Sequence, residues 1–252
     1  MKKYDNISYT ETEKLDIYLP DSDTFPVFIY FHGGGLESGD KVLDKFYDSL
    51  VQKGVAVVTA NYRMYPEARY PEFTEDAAAV VAWAYNNMSS YGKVTKFFVG
   101  GSSAGGYLSQ MLCFDKKYLA KYGIDSDDIG GYVHDAGQPT THYNVLRERG
   151  IDPKRVIIDE AAPIYHIQAD RNYAPMQIIV SDNDMQNRLE QTYLLVSTLK
   201  HFQYDESKLD LRVMKDSTHC SYINAQNSNG EWIFAEMIFE FIKSNKGVGE
   251  AE

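Results

Sequence analysis

The stretch Thr95–Lys96–Phe97–Phe98–Val99–Gly100–Gly101–Ser102–Ser103–Ala104–Gly105–Gly106 decides the fold. An apolar, strand-like run enters a Gly-Ser-Ser-Ala-Gly turn and leaves through Tyr107–Leu108–Ser109–Gln110–Met111–Leu112, which reads as a helix. A G-x-S-x-G pattern between a strand and a helix makes a turn so tight that its central serine is strained. Only glycine-sized neighbours two positions away on either side avoid strand and helix. One register fits. Gly101 and Gly105 bracket Ser103, whereas centring the turn on Ser102 puts Ala104 where glycine belongs. Ser103 is therefore the candidate nucleophile. A plain glycine-rich turn would share the pattern, so its surroundings must decide.

Upstream, Val27–Phe28–Ile29–Tyr30–Phe31 is apolar on both faces, as a buried parallel strand is, and runs into His32–Gly33–Gly34–Gly35. Val55 to Ala60 is a second such strand. Before them, Ile7–Thr10 and Lys14–Leu19 alternate and suggest an antiparallel hairpin. Val42 to Gln52 reads as a helix stopped by Gly54, and Pro71 opens another that carries Phe73, Ala77, Val80 and Ala84. Downstream, Ile129–Val133, Met176–Val180 and Leu209–Met214 read as strands. Leu189, Tyr193, Val196 and Leu199 trace one helix face, and Ile233, Met237 and Phe241 another. Strands alternating with helices over nearly the whole length predict an α/β fold with a mostly parallel sheet covered on both faces. No internal repeat or linker divides the 252 residues, so a single domain is expected. A lid-like insertion is expected at about 135–157 and a disordered tail at about 246–252.

The chain carries 25 basic and 36 acidic residues, a net charge of −11, which argues against nucleic acid or an anionic membrane as partner. No apolar run approaches the ~18 residues that span a bilayer. Met1–Lys2–Lys3–Tyr4–Asp5–Asn6 turns polar at once, so a cytoplasmic protein is expected. Cys113 and Cys220 make no metal spacing and are too few for a disulfide framework. Cys113 reads as a packed thiol and Cys220 as incidental. Neither a metal nor a cofactor is called for.

A serine hydroxyl needs a base to take its proton, and the base needs a carboxylate to hold its tautomer. His219 alone of six histidines lies after the last strand and before the last helix. His32 belongs to the glycine loop, and His134, His142, His166 and His201 fall in loop, lid or helix contexts. The acid is Asp182 or Asp184. The first directly follows Ser181 and also suits a turn cap. The second stands one step further out, where a loop swings a carboxylate towards a histidine, and is preferred. The glycine loop supplies backbone N–H donors at Gly34 and Gly35, joined by Ala104 after the nucleophile, for an oxyanion. No G-K-[ST] or G-x-G-x-x-G pattern accompanies it, so phosphate binding is the weaker reading.

In four segments the chain resembles the α/β-hydrolase superfamily, and within it the hormone-sensitive-lipase-like esterases and the small feruloyl and acetyl-xylan esterases. They are His32–Gly35; Asn61–Tyr62–Arg63 with Pro66–Glu67 and Pro71; Gly101–Gly106; and Ser181–Asp184 with His219. The resemblance implies a twisted sheet of about eight strands and a serine carboxylesterase acting on small acyl, aryl or carbohydrate esters. It also supports Asp184 as the acid. Ser102 and Leu36 depart from the lipase-like pattern, and the long N-terminal cap is missing; both lean towards the compact carbohydrate-ester group. An amidase of the kynurenine-formamidase kind, or a non-catalytic hydrolase-fold binding protein, are the alternatives. Tyr65, Tyr107 and Tyr143 are candidates to line the site. The partner is a small-molecule ester; oligomeric state is open.

Overall fold

A computed structural model describes residues 1–42 and 45–245. Eight strands form one sheet: β1 (Lys2–Ser8), β2 (Lys14–Leu19), β3 (Thr24–Phe31), β4 (Ala56–Ala60), β5 (Lys93–Ser102), β6 (Tyr132–Asp135), β7 (Met176–Asn183) and β8 (Leu209–Thr218). Their spatial order is β1-β2-β4-β3-β5-β6-β7-β8. The first two pairings, β1 with β2 and β2 with β4, are antiparallel; all others are parallel. The mostly parallel eight-stranded sheet with an N-terminal hairpin is as the sequence predicts. The parallel strands bring the C-terminal ends of β3, β5, β6, β7 and β8 to one edge, where open α/β sheets hold ligands.

Period-two alternation sends successive residues of a buried strand to opposite faces. Val27, Ile29 and Phe31 of β3 enter one core cluster, while Phe28 and Tyr30 enter the other. The first cluster takes helices α2 (Glu72–Asn87), α3 (Ala104–Phe114) and α6 (Arg188–His201). The second takes α1 (Tyr47–Gln52) and α7 (Ile233–Ser244). Two short helices, α4 (Lys117–Ala120) and α5 (Tyr143–Glu148), lie in the connections. All eleven residues of α3 are buried, so the helix after the Ser103 turn has no solvent face.

Several boundaries shift. Helix α1 starts at Tyr47, five residues after the expected Val42, and Leu43 and Asp44 lie outside the described residues. The expected tail at 246–252 lies outside them too. Strand β6 begins three residues late and runs on to Asp135, which therefore ends a strand instead of opening a lid. Segment 136–142 is buried throughout, and α5 buries Asn144, Val145 and Leu146. In α6, Tyr193 is 47 % exposed, and the buried face is Arg188, Gln191, Thr192, Leu195, Val196 and Leu199. The apolar pattern misleads there because half of the inward face is polar.

Candidate active site

Ser103 joins the end of β5 to the start of α3 with φ 57° and ψ −112°, a left-handed conformation that a side chain rarely adopts. The turn is held by packing. A methyl group at Gly105 would overlap the carbonyl of Phe31 in β3, and one at Gly101 would overlap the backbone of Gly105. The Ser103 N–H donates to the Asp135 carbonyl at 2.8 Å, and the Ser103 carbonyl accepts the N–H of Tyr107 at 2.9 Å. Strand β6 and helix α3 thus grip the strained residue from both sides.

His219 follows β8 directly. Its Nε2 lies 2.8 Å from Ser103 Oγ and its Nδ1 lies 2.6 Å from Asp184 Oδ1. A carboxylate can only accept, so Nδ1 carries the proton and Nε2 faces the serine hydroxyl as acceptor. The Asp184 side chain is inaccessible to solvent. It accepts the N–H of Met185 at 2.7 Å and that of Ser181 at 3.3 Å. Burial alone raises this carboxyl, but the hydrogen bond and charge of His219, with the two N–H donors, outweigh it and hold the group below its ordinary range. Asp182 turns elsewhere. It accepts the N–H groups of Asp216 and Ser217 at 3.1 and 3.2 Å, tying the β8 end to β7.

The glycine loop lies beside the serine. A methyl group at Gly33 would stand 3.3 Å from Ser103 Cβ. Gly34, at φ 115°, turns the chain so that its carbonyl accepts the N–H groups of Glu37 and Ser38 at 3.2 and 3.0 Å. Gly35, at φ 67°, presents its back to the Tyr143 hydroxyl. Ala104 is the first residue of α3, where a backbone N–H has no intrahelical acceptor. His32 anchors the loop: its Nδ1 bonds the Gly33 carbonyl at 2.7 Å, and its ring stacks on Tyr62 at 4.6 Å. A cavity of about 390 Å³ opens here, lined by His32, Gly33, Gly34, Ser103, His219 and Asn224 among others.

Of the three tyrosines considered, Tyr107 is core: it is fully buried and donates to the Ala161 carbonyl at 2.8 Å. Tyr65 lies under the Arg147 guanidinium, 5.5 Å from the ring centroid, and Tyr143 stands at Gly35. The sequence reading missed Asp135. Its buried carboxyl, under the nucleophile turn, accepts the hydroxyl of Tyr222 and the thiol of Cys220, the latter at 3.8 Å. Burial raises it to about 7, against the hydrogen bonds of Ser102 and Tyr222. The acid at the end of an apolar strand was the available signal. Cys220, read as incidental, proves to be part of this contact.

Among the described residues no group of His, Cys, Asp and Glu is arranged to hold a metal ion, and no helix is long and apolar enough to cross a membrane. The BD-FAE family profile matches residues 15–130, a span that includes the glycine loop and Ser103 but ends before Asp184 and His219. The carboxylic ester hydrolase LipN of Mycobacterium tuberculosis is 36 % identical over 104 residues, covering 38 % of this chain and 27 % of LipN. The versiconal hemiacetal acetate esterase of Dothistroma septosporum is 35 % identical over 155 residues, 58 % of this chain and 46 % of that enzyme. The chain thus matches less than half the length of either relative. The crystal structure of esterase B from Lactobacillus Rhamnosis superposes with a TM-score of 0.79 at 16 % identity, covering 97 % of this chain and 86 % of that one. Strand order, helix placement and these likenesses agree: the chain has the α/β-hydrolase fold and is related in sequence to carboxylic ester hydrolases.

Proposed function

We propose that this protein hydrolyses carboxylic esters through an acyl-enzyme on Ser103. His219 Nε2 takes the Ser103 proton as Oγ attacks the ester carbonyl, and Asp184 holds the imidazolium that forms. The N–H groups of Gly34, Gly35 and Ala104 receive the developing oxyanion. The tetrahedral intermediate collapses, the imidazolium gives its proton to the departing alkoxide, and an alcohol leaves. Water, deprotonated by His219, then attacks the acyl group; the acid leaves and Ser103 recovers its proton. Atoms balance without a metal or a cofactor.

The observation that carries this reading is the unbroken line Ser103–His219–Asp184, with contacts of 2.8 and 2.6 Å. Substrates are small esters, for which the cavity at Ser103 has room. The test is Ser103→Ala assayed on a neutral 4-nitrophenyl ester beside a small formamide. A loss of kcat on the order of 10⁴-fold is expected. Full esterase activity in the variant would sink the proposal, and faster turnover of the formamide would reassign the leaving group to an amine.

A further inference from the structure

A second cavity, of about 290 Å³, lies between segment 138–156 and the start of α6. It touches the Ser103 site at two points. Tyr143, in its wall, places its hydroxyl against Gly35 of the glycine loop. Met185, also in its wall, donates its N–H to Asp184. An ester extends in two directions from its carbonyl, and this second cavity lies beside the Ser103 site through those two contacts.

Besides the neutral polar side chains of Gln138, Tyr143, Gln186, Asn187 and Gln191, this second cavity is lined by Lys154, Arg155 and Arg188. These three are cations and none of the residues lining the cavity is Asp or Glu, in a chain whose net charge is −11. Arg188 is only 4 % exposed. Its guanidinium meets the Ala136 carbonyl and, at 3.4 Å, Gln138 Oε1, both of them neutral. Among the described residues no carboxylate forms an ion pair with it. Burial lowers its pKa, and the field of Asp184 opposes that in part. A desolvated cation without a carboxylate is costly to keep, and an arriving anion relieves the cost. Lys154 and Arg155 are exposed, at the mouth. Their near neighbour Asp152 accepts the Lys154 backbone N–H at 3.0 Å and the cavity lining does not include it.

We propose that this cavity receives a carboxylate carried by the ester itself, so that the preferred substrate is an anionic ester. Its scissile carbonyl lies at Ser103 and its carboxylate between Arg188 and the Lys154–Arg155 pair. The inference rests on the serine-hydrolase reading above and adds the substrate class. A carboxylate held by a guanidinium gains charge-assisted, often bidentate hydrogen bonds.

The experiment uses two matched pairs of esters at low ionic strength. For the acyl arm these are 4-nitrophenyl hexanoate and the 4-nitrophenyl monoester of adipic acid; for the alcohol arm, phenyl acetate and 4-acetoxybenzoate. In one pair the anionic ester is expected to show a kcat/KM on the order of ten- to a hundred-fold higher. That ratio should fall about tenfold in Arg188→Met and in Lys154→Ala/Arg155→Ala, and should shrink as salt screens the exposed pair. Equal ratios, or a preference for the neutral ester in both pairs, would overturn the inference. If Arg188→Met does not fold, the exposed double variant decides alone, and a ratio unchanged from wild type overturns the placement. Neutral-ester turnover abolished by Ser103→Ala keeps the hydrolase reading even when the charge preference fails. No turnover of any ester sinks that reading, and this one with it.

Discussion

The Ser103 turn and the segment from 136 to 157 meet where Gly106 packs on Gly137, and away from that contact they are held in different ways. The turn is fixed by backbone pressed on backbone: Gly101 on Gly105 and Gly105 on Phe31. The segment is fixed by side chains reaching far along the chain. Thr140 donates to Gln191 at 2.8 Å, Thr141 to Asp159 at 2.7 Å, and Asn144 to the Gly35 carbonyl at 2.8 Å. A steric lock has no intermediate settings, whereas a polar one can be loosened bond by bond. Ser103 stands on the lock and the wall of the second cavity on the looser part.

The largest effect expected from this contrast concerns the acid. Asp184→Asn removes the charge that holds the imidazolium and should cost kcat on the order of 10⁴-fold. Asp182→Asn disturbs only the β7–β8 tie and should leave most activity. Steady-state kinetics on the two variants decides, and the reverse order would move the acid to Asp182. Next comes stability. Gly105→Ala has no room, and denaturant unfolding should show a loss of more than about 4 kcal/mol, or no folded protein. Gly150, after α5, is at φ 71° with nothing within 4 Å of an added methyl group, so Gly150→Ala should cost only the backbone strain, about 1 kcal/mol. Similar losses at both glycines would erase the distinction between lock and loose segment.

The tight turn at Ser103, the glycine loop beside it and the buried strands were legible because each is a local pattern. A parallel strand covered on both faces is an apolar run, and a turn that admits only glycine at two positions advertises itself. That Ser103, Asp184 and His219 meet followed from which loop follows which strand. Arg188, Gln138 and Asp135 were not legible because their meaning depends on partners in other elements. Arg188 and Ala136 stand 52 positions apart, and Asp135 and Tyr222 stand 87 apart. A periodicity argument also assumes that inward residues are apolar, and α6 breaks that assumption at Arg188, Gln191 and Thr192.

The last expected effect is a dependence on pH and probes the ground beneath the turn. Asp135 is raised from 3.8 to about 7 by burial, so between those values the folded protein holds a proton that the unfolded chain has lost. Its contribution to stability is complete below about pH 4 and is lost as pH rises through 7, by at most about 1.4 kcal/mol per pH unit. His134, lowered by burial to about 3, gives the opposite slope from there to its ordinary 6.5. The difference between wild type and Asp135→Asn isolates the aspartate. Urea unfolding from pH 4 to 8 should show the variant gaining on wild type as pH rises, and parallel curves would refute the assignment.

Because helix α3 has no face towards solvent, its amides have no cheap local opening through which to meet water. Its amides are expected to be among the slowest to exchange. The strained serine stands at the head of that buried helix, so its backbone conformation is expected to be lost late on heating.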